Sequence, residues 1–102
     1  MSRFDVFEFK GAGDFIALDL QADILEHIRT TIIVPLFPLV SAQNEIMPRL
    51  KPVLTVLSQQ YVMGTENIGS VERTQLGQFI TNIEATHRYD IMSVIDFLFD
   101  GF

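Results

Sequence analysis

The chain has 102 residues, 48% of them hydrophobic, and a formal net charge of −6 from seven basic and thirteen acidic side chains. This length and composition predict one domain over residues 1–102 with a modest core. The excess of acidic side chains disfavours binding to nucleic-acid phosphates, which requires clustered cations, and makes another protein the expected partner.

Other features of the composition exclude several further classes. The chain has no cysteine, so disulfides, thiolate metal sites and thiolate nucleophiles are excluded, as fits a reducing cytosol. The first residues have no long apolar stretch, so we expect no signal peptide. The longest apolar run, residues 32–40, contains two prolines and is too short to span a bilayer. We therefore expect a cytoplasmic protein without membrane association.

A β-hairpin is predicted for the first twenty residues. Polar and apolar residues alternate over Arg3–Lys10, which is typical of a strand. Both faces of this strand carry apolar side chains, so the pattern leaves the core-facing side open. The turn signal Gly11–Asp14 follows, and Phe15–Leu20 is predicted to form the returning strand.

Short strands and turns are predicted for the middle of the chain. Residues 21–27 form a connection, and the β-branched run Thr30–Leu36 predicts a third strand that ends at a proline. Residues 37–49 are expected to form a loop with short strand pieces. Three further strands are predicted, at Val53–Leu57, Tyr61–Gly64 and Ser70–Thr74, and residues 77–83 are expected to lead into a helix.

The last seventeen residues predict an amphipathic helix. Thr86 is the expected N-cap, because its hydroxyl can accept a hydrogen bond from a first-turn amide. Four apolar residues recur at helical spacing, namely Ile91, Val94, Ile95 and Leu98. Met92, Phe97 and Phe99 widen this apolar surface beyond one core contact, and Gly101 can end the helix. The predicted class is mainly β with one C-terminal α-helix.

Several segments, in order along nearly the whole chain, resemble a known family. They are Phe4, Leu18–Leu25, Ile33–Leu36, Met63–Val71, His87–Arg88 before Asp90–Ile91, and Ile95–Phe102. Each motif is short, and their order at matching length makes the set specific. On these segments the chain resembles the CcdB toxins of bacterial toxin–antitoxin modules.

The resemblance implies both a fold and a mechanism. The implied fold is an SH3-like antiparallel β-barrel, of the CcdB, Kid and MazF type, with a long terminal helix, assembled as a homodimer. Such proteins bind the A subunit of DNA gyrase, trap its cleaved DNA complex and so inhibit topoisomerase activity. A CcdA-type antitoxin neutralises them. The resemblance implies no catalysis, no cofactor, no metal and no direct contact with nucleic acid or membrane.

The matching motifs also imply which residues make these contacts. The implied gyrase-binding residues are Ile24, Leu25, Asp96, Phe99, Asp100, Gly101 and Phe102. Phe4 and Leu98 are implied in the dimer interface, and Gln21 and Asp23 lie beside these contacts. From the residues alone, core packing is the favoured interpretation of Ile24 and Leu25, and Gly101 with Phe102 could simply end a helix.

The terminal segment departs from the family's Trp-Gly-Ile ending in two positions. Asp100 stands where the family has tryptophan, and Phe102 stands where it has isoleucine. Loss of an aromatic anchor can cost about 2 kcal/mol at an interface. A homologue that has lost toxicity, and retains only dimerisation or antitoxin binding, is therefore an alternative hypothesis.

A second alternative is an endoribonuclease of the Kid and MazF type, which shares this fold. General acid–base chemistry on RNA would need titratable groups and cations close to the substrate. The candidates here are His27, Arg29, His87 and Arg88. The two histidines are the only ones in the chain, so a multi-histidine metal site is not expected.

Overall fold

The computed structural model describes residues 3–11, 13–21 and 28–100, which form seven β-strands and two α-helices. The strands are β1 (Asp5–Phe9), β2 (Ile16–Asp19), β3 (Thr30–Pro38), β4 (Val53–Val56), β5 (Gln59–Met63), β6 (Gly69–Glu72) and β7 (Leu76–Asn82). The helices are α1 (Leu39–Ala42) and α2 (Glu84–Asp100). The predicted class, mainly β with a C-terminal helix, is confirmed.

All strand pairs are antiparallel and belong to one curled, barrel-like sheet. Six strands follow the order β4-β5-β3-β2-β1-β7. The nine-residue strand β3 pairs with β2 along one edge, and its other edge is shared by β6 in its first half and β5 in its second half. Because two strands split this edge, the sheet bends around β3 and encloses residues on both of its faces.

Two separate apolar cores lie on opposite faces of the sheet. The larger core lies under α2, and its members include Val6, Leu18 and Val34 together with Ile91 and Val94 of the helix. The smaller core is formed by Phe7, Ala17, Ile33 and Leu76. Adjacent residues of β1 therefore enter different cores, which explains why the alternation in this strand did not reveal one core-facing side.

Helix α2 begins two residues before the predicted N-cap, so the assignment of Thr86 as N-cap is wrong. The side-chain oxygen of Asn82 accepts a hydrogen bond from the Glu84 amide at 2.9 Å, which satisfies a donor of the first turn. The Thr86 hydroxyl lies inside the helix and donates to the Ile83 carbonyl at 3.5 Å. The predicted apolar stripe is confirmed at its first two positions, since Ile91 and Val94 are buried.

Three further sequence predictions were wrong in the middle of the chain. Pro35 lies inside β3 and does not end it. Proline has no N–H to donate, but its carbonyl still accepts a hydrogen bond from the Gly64 amide at 2.8 Å. The predicted loop after residue 37 contains helix α1. Residues 77–83 were expected only to lead into the helix, but Leu76–Asn82 form strand β7, which pairs with β1.

The hairpin between β4 and β5 has a tighter turn than predicted. Val56 pairs with Gln59, so Leu57 and Ser58 form a two-residue loop. Both residues have positive φ angles, 48° and 68°. This geometry is that of a type I′ turn, whose twist matches the flanking strands.

Candidate functional site

The C-terminal half of α2 presents aromatic and acidic side chains to solvent. Phe99 is 75% exposed, and Asp96 and Asp100 are also exposed. Leu98 is 39% exposed, so its side chain is accessible to a partner. These four residues, which the resemblance implies in gyrase binding or dimerisation, therefore lie at the surface.

An apolar groove, called here the Phe99 groove, lies beside this end of α2. It has a volume of about 530 Å³. Its lining comes from five segments of the chain: Arg3, Leu20 with Gln21, Ile32, Ile68, and Ile95 with Phe99. Apolar clefts that bury most of a bound side chain, with few polar groups to fix its orientation, are typical binding sites. This groove therefore offers an apolar binding surface beside the helix end.

Gln21 connects the Phe99 groove to the second stretch that the resemblance implies. The backbone N–H of Gln21 donates to the Asp19 carboxylate at 2.9 Å, and its side-chain oxygen accepts from the Ile32 amide at 3.1 Å. Residues 22–27 follow directly in the sequence. Ile24 and Leu25 lie outside the described residues, as do Asp23, Gly101 and Phe102, so their predicted contacts stay predictions.

A buried carboxylate, that of Asp19, lies at the end of β2. Asp19 is 1% exposed and also accepts a hydrogen bond from the Thr31 hydroxyl at 2.8 Å. Burial raises the pKa of Asp19 above its ordinary value, the hydrogen bonds from Gln21 and Thr31 oppose this, and the nearby Asp5 carboxylate adds to it. Asp19 therefore fixes the end of β2 against β3 at some cost in charge burial.

A second groove, called here the Phe97 groove, lies on the other side of α2. It has a volume of about 440 Å³ and is lined by two prolines, Tyr89, Asp96 and Phe97, among other residues. The guanidinium of Arg49 stacks on Phe97 at 4.5 Å from the ring centroid. Asp96 and Phe99 were both predicted for the gyrase contact, but the structure places Asp96 in the Phe97 groove and Phe99 in the other groove.

Phe4 is part of the core and not of the surface. Phe4 has no exposed area, and the guanidinium carbons of Arg3 and Arg88 lie 5.3 and 5.8 Å from the centroid of its ring. Its φ angle is 72°, and its backbone bonds to Asp19 and Ile83. A dimer contact by this side chain would require the core to open, so its implied role at an interface stays a prediction without an accessible surface.

The family model of the CcdB protein matches residues 3–101, nearly the whole chain. The chain belongs to the CcdB family. CcdB proteins are toxins of toxin–antitoxin modules, and this membership supports the same general role here. No curated protein sequence matches this CcdB-family chain at a significant level.

Solved structures with the same fold extend this comparison. One of them is an endoribonuclease in complex with its cognate antitoxin from a mycobacterial species. It has a TM-score of 0.75 and 14% sequence identity, and the match covers 98% of this chain and 93% of that chain. At this identity the likeness demonstrates the shared fold alone, which agrees with the barrel expected of a CcdB-family member.

The residues considered for RNA cleavage lie in separate contacts of this CcdB-family chain. The Nε2 atom of His87 accepts from the Thr55 amide at 3.1 Å, and its Nδ1 atom lies 3.2 Å from an Asp90 oxygen. Arg88 pairs with Glu84 on the surface of α2. Arg29 pairs with Glu72 near the start of β3, and His27 lies outside the described residues.

Within residues 3–11, 13–21 and 28–100, no cluster of three or more histidine, cysteine, aspartate or glutamate side chains could hold a metal ion. Neither of the two described helices has the length and apolar character needed to cross a bilayer.

Sequence reasoning missed Arg3, Ile32 and Ile68 in the Phe99 groove. They lie far apart along the chain, and the pairing of β3 with β2 and β6 brings them together. It also missed Lys51, whose Nζ atom donates to Glu45 at 2.7 Å and to Glu66. These two hydrogen bonds raise the pKa of Lys51. A lone lysine in a polar segment carries no signal of such a buried contact.

Proposed function

We propose that this CcdB-family chain is a toxin that binds the A subunit of DNA gyrase through the Phe99 groove and the adjoining helix end. The observation that carries the proposal is the accessible Phe99 side chain beside an apolar groove whose rim contains Gln21. Phe99 of the helix end and Gln21, the last described residue before Ile24 and Leu25, therefore line the same groove. Its mechanism is contact with another protein and not catalysis.

The physical basis is burial of apolar surface at a prepared site. Phe99 and the isoleucines of the groove would lose contact with water on binding, which is the main favourable term in most protein association. A homodimer of this chain would present two such surfaces related by a two-fold axis, which matches the symmetry of a dimeric target. Preferential binding to the gyrase conformation with cleaved DNA would raise the population of that conformation.

The same surface suits control by an antitoxin. An antitoxin that covers the Phe99 groove would exclude gyrase from it. The solved structure of similar fold is an endoribonuclease that was obtained in complex with its cognate antitoxin, which supports an antitoxin partner for a protein of this architecture. A CcdA-type antitoxin is the expected one, from the family resemblance.

The test is gyrase supercoiling and DNA cleavage with the purified full-length chain and with a variant that lacks Gly101 and Phe102. We expect linear cleaved DNA with the full-length chain and none with the shortened one, with both proteins folded and dimeric. A folded full-length dimer without effect on gyrase would favour the non-toxic homologue, in which Asp100 has replaced the aromatic anchor. Cleavage of RNA by the same preparation would instead favour the ribonuclease hypothesis.

A further inference from the structure

Among the described residues, Arg3 is the one cation that lines the Phe99 groove. One of its terminal nitrogens, Nη2, lies 3.4 Å from the sulfur of Met92, and its guanidinium carbon lies 5.3 Å from the centroid of the Phe4 ring. These contacts hold the side chain in place, but a thioether is a weak acceptor and an aromatic ring carries no net charge. These two contacts therefore position Arg3 without neutralising it.

The Nε atom of Arg3 is buried and has no hydrogen-bond acceptor within the part of the chain that the structure describes. A buried donor left in this state costs about 1–3 kcal/mol, so such groups are rare and call for an explanation. The other six residues that line the groove are uncharged. Elsewhere in the described chain Arg29, Lys51 and Arg88 each contact a glutamate. Over residues 3–11, 13–21 and 28–100, Arg3 has no carboxylate partner, and it differs from Lys10 and Arg49, which also have none there, in its buried nitrogen without an acceptor.

We propose that Arg3 determines the specificity of the Phe99 groove by binding a carboxylate side chain of the gyrase A subunit. Apolar side chains of the same gyrase segment pack on Ile32, Ile68 and Phe99. This inference rests on the proposed function and adds the chemistry of the partner: an apolar segment that carries one acidic residue.

Charge complementarity supports this occupant. The chain has a net charge of −6, which disfavours the approach of a carboxylate, so a carboxylate needs a local cation that is not already paired with an acidic side chain. A guanidinium binds a carboxylate through two parallel hydrogen bonds, and water-poor surroundings strengthen such a pair. Arg3 is half-buried and lines the groove, so part of its side chain can be reached from there. The groove, of about 530 Å³, has room for a few side chains of a partner.

The experiment compares the affinity of the purified gyrase A subunit for four full-length chains: the unmodified chain, Arg3→Gln, Arg3→Lys and Arg49→Gln. Arg49→Gln is the matched control, because it also removes one positive charge and one cation–π contact, but from the Phe97 groove. Circular dichroism melts and sedimentation confirm folding and dimerisation. We expect Arg3→Gln to weaken binding by about 10- to 100-fold, as for the loss of a hydrogen bond to a charged group. The affinity of Arg3→Lys should lie between those of the unmodified chain and Arg3→Gln, and the affinity of Arg49→Gln should stay within about twofold of that of the unmodified chain.

Each other outcome overturns the proposal in a distinguishable way. Equal affinity for the unmodified chain and Arg3→Gln, with binding still lost in Phe99→Ala, would leave gyrase as the partner and remove Arg3 from the contact. An equal loss in Arg49→Gln would indicate a general charge effect. Weaker self-association of Arg3→Gln, with gyrase binding unchanged, would mean that a second copy of the chain occupies the groove. If Arg3→Gln does not fold, Arg3→Lys decides, since unchanged affinity there excludes a paired guanidinium. Absence of any gyrase binding by the unmodified chain would overturn the proposed function itself.

Discussion

Substitution of Phe99 by alanine should separate binding from folding. Phe99 is 75% exposed, so only about a quarter of the roughly 1.5–3 kcal/mol available from burying a phenylalanine stabilises the free chain. The higher helix propensity of alanine offsets about 0.5 kcal/mol of that loss. The free energy of unfolding should therefore change by less than about 0.5 kcal/mol. As an interface anchor, Phe99 should contribute about 2 kcal/mol or more, which is about a 30-fold change in Kd for the gyrase A subunit.

Tyr89 provides the control for this prediction on the same helix. It is 82% exposed and lines the Phe97 groove, so Tyr89→Ala removes a similar amount of exposed aromatic surface from the opposite side of α2. Urea unfolding and calorimetric titration with the gyrase A subunit would be carried out on both variants. If both weaken binding equally, or if Phe99→Ala binds as tightly as the unmodified chain, the assignment of the contact to the Phe99 groove is refuted.

Three predictions concern stability. Burial raises the pKa of Asp19, so the unmodified chain loses stability as the pH rises from the ordinary pKa of 3.8 through the raised one. The variant Asp19→Asn keeps an acceptor oxygen and cannot ionise, so its thermal stability relative to the unmodified chain should increase across that pH range. A stability difference that stays constant with pH would contradict this reasoning. Lys51→Met should lower the free energy of unfolding in urea by about 1–3 kcal/mol at pH 7, because it removes two hydrogen bonds to carboxylates, and no loss would show that they contribute nothing. A Cβ at Gly64 would lie 2.5 Å from the Phe37 ring and 3.1 Å from the Pro35 carbonyl, so Gly64→Ala should cost about 1–3 kcal/mol, and a neutral melt would show that the ring can move aside.

The sequence predicted those strands that local alternation and turn residues specify without contacts from distant parts of the chain. The first hairpin was found because alternation and a glycine turn indicate the same structure. Strand β7 was missed because it is an edge strand whose pairing with β1 shifts register twice, which breaks the period-two pattern. Helix α1 was missed because it has four residues and no side-chain cap. In both cases, contacts with distant parts of the chain decide the structure.

The candidate site could be predicted only in part. Helical spacing placed Phe99 outside the core-facing stripe, and the family resemblance implied a contact for Asp96, but neither says which groove each residue enters. That division depends on Pro48 and Arg49 on one side of α2 and on β2 and β3 on the other. Arg3 gave no signal at all, because its importance arises from a buried nitrogen that has no acceptor among the described residues.

Strand β3 has a consequence for the dynamics of the molecule. It forms hydrogen bonds with three strands and contributes side chains to both cores, so full exposure of its amide protons requires loss of the pairing with β2, β5 and β6 and disrupts both cores. Such disruption amounts to opening of the whole domain. The slowest amide hydrogen exchange should therefore occur in β3, at a rate that reports global unfolding, while the surface around Phe99 can rearrange without it.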